Sequence, residues 1–129
     1  MNFDCDKLID MALAGRSNAY TPYSKFKVGA SIMLKDGTYI TGCNVENSSY
    51  GLCICAERNA IGTAVVNGEH KIKAIAIYSP NKDDCPPCGA CRQVINEFRS
   101  DDGVDVITEF DGHVVSHTID ELLPGGFTL

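Results

Sequence analysis

The chain has 129 residues, of which 44% are hydrophobic and 22% are charged, and this composition favours one globular domain over a disordered or fibrous protein. Its formal net charge is -6 and its 11 Lys and Arg residues are spread out, whereas a protein that holds a phosphate backbone needs clustered cations. No stretch approaches the roughly eighteen apolar residues of a membrane span, and the N-terminus lacks an export signal. We therefore expect one domain over residues 1–129, no nucleic-acid partner, no membrane and a cytoplasmic location.

The first part of the chain predicts a helix followed by a β-hairpin. Residues 4–20 carry apolar side chains at helical spacing after an acidic first turn, and residues 26–34 alternate as a strand does. The pair Asp36-Gly37 is a hairpin signal. Residues 39–45 should therefore form a second strand, antiparallel to the first.

The middle of the chain alternates helices with a strand. After a polar loop at residues 46–53, residues 55–66 return to helical spacing, and residues 71–78 predict a mostly buried strand. A further helix is expected to begin at Cys88, directly after a pair of prolines.

The last part of the chain predicts another hairpin and a short helix. Residues 104–110 and 113–116 are two strands joined by the turn Asp111-Gly112, and residues 119–123 form the helix. The whole order predicts an α/β domain, with a mixed sheet of about five strands and helices packed on it.

The seven cysteines favour a metal site over disulfide bonds. Their number is odd, and five of them lie between Cys53 and Cys91. Reduced thiols that hold a metal in the cytosol explain this clustering. The isolated Cys5 and Cys43 are expected to be small buried hydrophobes.

Cys55, Cys88 and Cys91 are the candidate metal ligands. Cys88 and Cys91 have ligand spacing, and Cys55 and Cys88 fall at predicted helix starts, where the helix dipole lowers the pKa of a thiol. Three thiolates are the number that a catalytic zinc takes while one position stays open for water. Glu57, two residues after Cys55, is placed to handle the protons of that water, although alone it would be an ordinary acidic residue of a first helical turn.

A closed structural zinc site is the alternative. Cys53 would then join Cys55, Cys88 and Cys91 as a fourth ligand, with no open position. That arrangement leaves Glu57 without a role, and Cys53 and Cys55 would point apart if their segment were extended. The three histidines match no ligand position.

The two cysteine segments resemble the signature of the small zinc-dependent cytidine deaminases, in which a Cys or His two residues before Glu is followed by Pro-Cys-x-x-Cys. The matching segments are Phe26-Lys27-Val28-Gly29-Ala30, Asn44-Val45-Glu46-Asn47, Tyr50-Gly51, Cys55-Ala56-Glu57-Arg58, Pro87-Cys88-Gly89-Ala90-Cys91-Arg92-Gln93 and Leu122-Leu123-Pro124 with Phe127. The resemblance covers nearly the whole chain. It implies a cytidine deaminase-like three-layer α/β fold, with a mixed five-stranded sheet and helices packed on both faces, one Zn²⁺ per chain and a homotetramer.

The resemblance also implies a reaction, the hydrolytic deamination of cytidine and deoxycytidine to uridine and deoxyuridine in pyrimidine salvage, with release of ammonia. Zinc lowers the pKa of its bound water toward about 7, and the zinc-bound hydroxide would attack C4 of the ring. Glu57 would take the water's proton, pass it to N3 and later protonate the departing amine. Catalysis of this kind supplies roughly 10² to 10⁴ in rate.

Further residues take expected roles from the same resemblance. Arg58 would hydrogen-bond the ligand sulfurs and offset their charge. Asn44 and Glu46, two residues apart on one side of a strand end, would hold the ribose 3′-hydroxyl. The remaining members of the implied substrate-binding set are Phe26, which would pack against the pyrimidine, Ala56, whose backbone N–H would meet the base carbonyl, Tyr50 and Phe127.

Two other functions stay open from the sequence. One is a non-catalytic binding module that zinc stabilises. The other is a deaminase of a different cytosine nucleoside, such as an antibiotic. The sequence does not rank cytidine against deoxycytidine, because no residue is identified that would contact a 2′-hydroxyl.

Overall fold

The computed structural model describes residues 3–79 and 85–129, and within these ranges no helix is long and apolar enough to cross a membrane. The helices are α1 (Cys5–Arg16), α2 (Ala56–Asn67), α3 (Gly89–Glu97) and α4 (Ile119–Leu122), with a 3₁₀ turn at Tyr50–Leu52. The strands are β1 (Gly29–Leu34), β2 (Tyr39–Cys43), β3 (Ile72–Tyr78), β4 (Asp105–Phe110) and β5 (His113–Thr118).

The strands form one mixed sheet in the order β2-β1-β3-β4-β5, which confirms the predicted sheet. β1 pairs antiparallel with β2 and β3, β4 pairs antiparallel with β5, and β3 and β4 run parallel. Asp111 and Gly112 join β4 to β5 with φ values of 51° and 77°, as a two-residue hairpin turn requires. The connection from β3 to β4 contains α3, since parallel strands need a crossover.

Helix α1 covers one face of the sheet. Its buried residues Leu8 and Ala12 belong to a core cluster with Met33 of β1, Ala76 of β3 and Ile107 of β4. Because successive strand residues point to opposite faces, the neighbours of these strand residues are available to a second core on the other side.

The other three helices cover the opposite face. Ala60 and Ile61 of α2, Ile95 of α3 and Ile119 of α4 pack in one cluster with strand residues such as Ile32. The sheet therefore lies between two helical layers, and the expected three-layer arrangement is confirmed. Helices α2 and α3, which carry the cysteine segments, share one face.

Helix α1 ends earlier than predicted, at Arg16 rather than at residue 20. The Ser17 hydroxyl donates to the Ala14 carbonyl at 2.8 Å, and the backbone N–H groups of Ser17 and Asn18 bond three residues back instead of four. This tighter spacing closes the helix.

Strand β1 begins later than predicted, at Gly29 rather than at residue 26. The backbone of the preceding residues bonds the Asn44 side chain, which accepts from the Val28 N–H at 2.9 Å and donates to the Phe26 carbonyl at 3.0 Å. The side chain of Asn44, which directly follows β2, thus makes hydrogen bonds to Phe26 and Val28 that a neighbouring strand backbone would otherwise make.

Gly42 of β2 sets the position of α2. A Cβ atom on Gly42 would lie 2.5 Å from the Ala56 carbonyl oxygen and 2.6 Å from the Ala60 backbone nitrogen. The first turn of α2 therefore rests directly on the strand backbone. This close approach fixes where the Cys55 segment enters the molecule.

We expect Gly42→Ala to lower the free energy of unfolding by about 2–3 kcal/mol, because the added methyl group must push α2 away from the sheet. Gly62→Ala, in the middle of α2 with open space around its Cβ, is the matched control and should raise stability by about 0.5–1 kcal/mol. Urea denaturation of both variants measures the difference. Equal stabilities would contradict the tight contact.

Candidate metal centre and adjoining pocket

Three cysteine sulfurs come together where α2 and α3 begin. Cys55 is the N-cap of α2, Cys88 is the N-cap of α3 and Cys91 lies in the first turn of α3. Their Sγ atoms all lie within 4.8 Å of one another, with 4.0 Å between Cys55 and Cys88 and 3.4 Å between Cys88 and Cys91. A tetrahedral zinc with Zn–S bonds of about 2.3 Å separates its sulfurs by about 3.8 Å. The donor set therefore fits zinc.

Both helix starts favour negative charge at these sulfurs. Neither Cys55 nor Cys88 caps its helix through a side-chain hydrogen bond. The first backbone N–H groups of α2 and α3 have no acceptor within their own helix, and the positive end of each helix dipole lies at this point. Such an environment stabilises thiolates.

The clustered sulfurs shift one another's pKa values in opposite directions. The Cys91 thiol hydrogen-bonds Cys55, and this bond, with help from Arg58, lowers the pKa of Cys55 to about 5. The same bond raises the pKa of Cys91, because Cys91 is the proton donor in it. Further deprotonation would place thiolates next to one another, and a divalent cation would neutralise their negative charge.

Glu57 is buried beside the sulfurs, with 4% of its surface exposed. It lies in the first turn of α2, within hydrogen-bonding reach of Cys91. Burial raises the pKa of Glu57 above that of an exposed glutamate, and the nearby Cys55 thiolate raises it further. A carboxyl group in this state can accept and release a proton closer to neutral pH.

Arg58 contacts the ligand sulfurs from the side of α2. Its Nη2 donates to Cys55 Sγ at 3.6 Å, and this hydrogen bond raises the pKa of Arg58. Its Nε is buried without a hydrogen-bond partner among the described residues. The guanidinium therefore places positive charge against the sulfur cluster, as the resemblance implies.

Asn44 and Glu46 lie at the end of β2, where both are tied to the chain before β1. The Asn44 amide bonds the backbone of Phe26 and Val28. The Glu46 carboxylate accepts hydrogen bonds from the backbone N–H groups of Tyr23 and Ser24, at 3.1 Å each. It also accepts one from the Ser24 hydroxyl. The Ser24 hydroxyl bond lowers the pKa of Glu46, so Glu46 is an anion at neutral pH.

An open cavity of about 320 Å³ lies at the loop that precedes α2. Its lining residues are Tyr23, Ser24, Glu46, Tyr50 and Cys53. Cys53 precedes the ligand Cys55 by two residues, and the backbone of Ile54 between them pairs with Val45. The lining of the cavity and the sulfur cluster are therefore close to each other along the chain.

Some of the residues named from the sequence lie outside the sulfur cluster or outside the lining of the cavity. Cys53 lines the cavity and is not among the clustered sulfurs. The Phe127 ring is 64% exposed, and its carbonyl accepts from Gln93 of α3 at 3.1 Å, outside the lining of the cavity. The three histidines lie outside the cluster found among the described residues.

Tyr23 and Ser24 were not predicted as site residues. Both line the cavity, and both bond Glu46 through their backbone N–H groups. Their segment lies between the predicted helix and the predicted first strand and was given no role. A proline followed by Tyr and Ser gives no periodic signal, so the contact with Glu46 could not be found without the fold.

The family described as the cytidine and deoxycytidylate deaminase zinc-binding region matches residues 4–106. A cytidine deaminase of Halalkalibacterium halodurans is 46% identical over 125 residues, which cover 97% of this chain and 95% of that protein. A cytidine deaminase of Sporosarcina psychrophila is 44% identical over 125 residues, covering 97% and 92%.

A solved structure is similar along the same length. The crystal structure of cytidine deaminase from Burkholderia pseudomallei superposes with a TM-score of 0.89 at 42% sequence identity. The match covers 97% of this chain and 100% of that chain.

We expect Cys88→Ala to lose bound zinc and Cys53→Ala to keep about one zinc per chain, because only the first substitution removes a clustered sulfur. Zinc per chain, measured by atomic spectroscopy on the purified variants, checks this. Loss of zinc from Cys53→Ala would instead indicate the closed four-cysteine site.

Proposed function

Because the chain belongs to the cytidine deaminase family, we propose that its three clustered sulfurs and the buried Glu57 beside them form the catalytic centre. The chain is a zinc-binding hydrolase that deaminates cytidine. One observation supports this assignment to particular residues. Three cysteine sulfurs lie within 4.8 Å of one another, next to the Glu57 carboxyl group, whose pKa is raised.

Cys55, Cys88 and Cys91 would hold the zinc ion. Zinc in such a site supplies a water molecule whose pKa is lowered toward about 7 and leaves it next to the substrate. The sulfurs come from the starts of two helices that pack on one face of the sheet, and such rigid elements support a defined ligand geometry.

Glu57 is the proton carrier in this proposal. Attack on C4 of an aromatic ring is slow unless N3 is protonated, so a single carboxyl group that moves the proton from water to N3 serves both needs. The same group would then take the proton of the hydroxyl newly bonded to C4 and give it to the amine, so that the carbonyl forms as the C4–N bond breaks and ammonia leaves. Burial of Glu57 supports the role, because it raises the pKa of the carboxyl group toward the range in which both transfers are possible.

Arg58 would keep the centre electrophilic. Three thiolates on one Zn²⁺ leave a charge of 2 − 3 = −1, and that excess weakens the attraction of the metal for the electrons of water. The guanidinium at 3.6 Å from Cys55 Sγ withdraws part of the sulfur charge through its hydrogen bond. This is the role proposed for it.

The cavity with Glu46 and Tyr50 would receive the sugar of the nucleoside. Glu46 is an anion there, and a carboxylate has lone pairs for a hydroxyl donor beyond those already used. Asn44 keeps one amide hydrogen after its bond to Phe26 and would share the 3′-hydroxyl with Glu46. A polymer with an esterified 3′ oxygen lacks the hydroxyl hydrogen that Glu46 would accept.

The base would lie between the sugar pocket and the metal. The Ala56 N–H lies at the start of α2, where backbone N–H groups have no acceptor in the helix, and this supports its proposed bond to the base carbonyl. Phe26, half-buried next to the Asn44 bonds, would pack against the ring. Phe127 is proposed to act at a substrate site only after burial against another copy of the chain.

Deoxycytidine is proposed as a second substrate, since no described residue of the cavity is assigned to a 2′-hydroxyl. We also propose pyrimidine salvage as the setting and the cytoplasm as the location. The cysteines are seven in number and three of them cluster as candidate metal ligands, a pattern expected of thiols in a reducing compartment.

We expect Glu57→Gln to lower the kcat for cytidine by about 10² to 10⁴-fold while zinc content stays near one per chain, because the amide keeps the shape and loses the proton carrier. The fall in ultraviolet absorbance on conversion of cytidine to uridine measures turnover. Glu97→Gln, an exposed glutamate at the end of α3, is the control and should leave kcat unchanged.

Two results would contradict the proposal. Near-normal turnover by Glu57→Gln would exclude Glu57 as the proton carrier. A zinc-loaded wild-type protein that does not convert cytidine would indicate the non-catalytic module instead.

We propose a homotetramer, and the exposed apolar surface beside the pocket supports it. The backbones of Tyr20, Val45 and Ile54 are bridged side by side, and these side chains are 55%, 41% and 41% exposed, with Leu52 at 65% nearby. Patches of this kind on soluble proteins mark contact surfaces.

Sedimentation equilibrium should give four times 13.9 kDa, about 56 kDa. Leu52→Asp should shift the protein toward smaller species, because a carboxylate would have to be buried in the contact, whereas Val66→Asp, on an exposed position of α2, should not. A wild-type mass of one chain would contradict the assembly.

A further inference from the structure

Arg92 lies one residue after Cys91, and its guanidinium joins two distant parts of the chain. Its Nε donates to the Pro87 carbonyl at 2.7 Å, and its Nη1 donates to the Leu122 carbonyl at 2.8 Å. Both bonds are short and have a charged donor, which makes them members of the stronger class of hydrogen bond. The chemistry described above gives Arg92 no part.

The Pro87 carbonyl matters because it belongs to the peptide group directly before Cys88. The Pro87 side chain is fully buried, and its carbonyl lies outside α3, where no helical N–H can reach it. The backbone N–H of Arg92 bonds the carbonyl of Cys88 itself at 2.9 Å. Arg92 therefore holds both peptide groups that flank Cys88.

Leu122 gives the guanidinium a fixed anchor. It is the last residue of α4, where carbonyls lack a donor within the helix and an arginine can satisfy them. Helix α4 is itself held firmly, since Ile119 is fully buried and Thr118 forms a capping box with Glu121.

We propose that Arg92 is a positioning residue of the metal centre, which locks the Pro87-Cys88 backbone against the end of α4 and so keeps the Cys88 sulfur within ligating distance of Cys55 and Cys91. The inference rests on the proposed function, because it requires these cysteines to hold zinc. Cys88 needs this support most, since it is exposed whereas Cys91 is buried.

The role requires an arginine. The two acceptors belong to different segments, and the planar guanidinium presents donors toward both at once. A lysine has one ammonium group and would satisfy one carbonyl well and the other poorly. The described bonds of the guanidinium end on backbone carbonyls rather than on sulfur, so Arg92 acts through the position of Cys88.

The test compares Arg92→Met with Arg99→Met. Arg99 also links the α3 segment to α4, through bonds of 2.7 and 3.1 Å to the Asp120 carboxylate, but it touches no peptide group next to a cysteine ligand. Each zinc-loaded full-length protein is mixed with excess chromogenic chelator, and the rate of zinc release is followed. We expect Arg92→Met to release zinc about 10- to 100-fold faster than wild type and Arg99→Met to stay within about twofold.

Two further measurements separate positioning from a general loss of stability. The visible spectrum of the Co²⁺-loaded protein reports the geometry of the sulfur ligands, and it should change in Arg92→Met but not in Arg99→Met. Arg92→Lys should release zinc at a rate between those of wild type and Arg92→Met. If Arg92→Met does not fold, Arg92→Lys decides: faster release than wild type supports the role, and an unchanged rate overturns it.

Failure of the inference is distinguishable from failure of the proposed function. Wild-type release rates and an unchanged Co²⁺ spectrum in Arg92→Met, with zinc still lost from Cys88→Ala, overturn the role of Arg92 alone. Equal acceleration in Arg92→Met and Arg99→Met also overturns it, because that result reports only a weaker α3–α4 contact. Retention of zinc by Cys88→Ala overturns the metal site and the inference together.

Discussion

The meeting of two helix N-termini at three sulfur atoms is the constraint on which the rest of the structure depends. Cys55 and Cys88 begin α2 and α3, so the sulfurs can approach within 4.8 Å only if both helices start at the same point on one face of the sheet. The backbone contact between Gly42 and α2 meets that condition for one helix. The hydrogen bonds of Arg92 to the Pro87 and Leu122 carbonyls meet the same condition for α3.

The charges around the sulfurs are balanced by residues of one helical turn. Cys55 at the N-cap of α2 and Glu57 and Arg58 in its first turn supply a candidate ligand, a buried acid and a cation in direct contact with the Cys55 sulfur. Burial raises the pKa of Glu57, and the negative charge of Cys55 raises it further. The positive charge of Arg58 lowers the pKa of Glu57 and so limits this increase. A short segment would thus contain both the proposed proton carrier and the cation that offsets the sulfur charge.

The sequence predicted the parts of the fold that depend on local pattern. The hairpin turns, the five strands and the helix starts at Cys55 and Cys88 follow from turn residues and periodic spacing, and the structure has them. The start of β1 was wrong because a bond from distant Asn44 decides it. The side chains of Tyr23 and Ser24 in the cavity were missed for the same reason, since no local pattern reveals a contact with Glu46.

The Asn44 amide has a consequence for recognition. Its oxygen and one of its hydrogens already bond Val28 and Phe26, so the side chain is held in one rotamer in the free protein. A group that is immobile beforehand loses little conformational entropy when a ligand arrives. In the proposed role of Asn44, this ordering is completed during folding, and a substitution at Asn44 would lower both the stability of the fold and the affinity for the sugar.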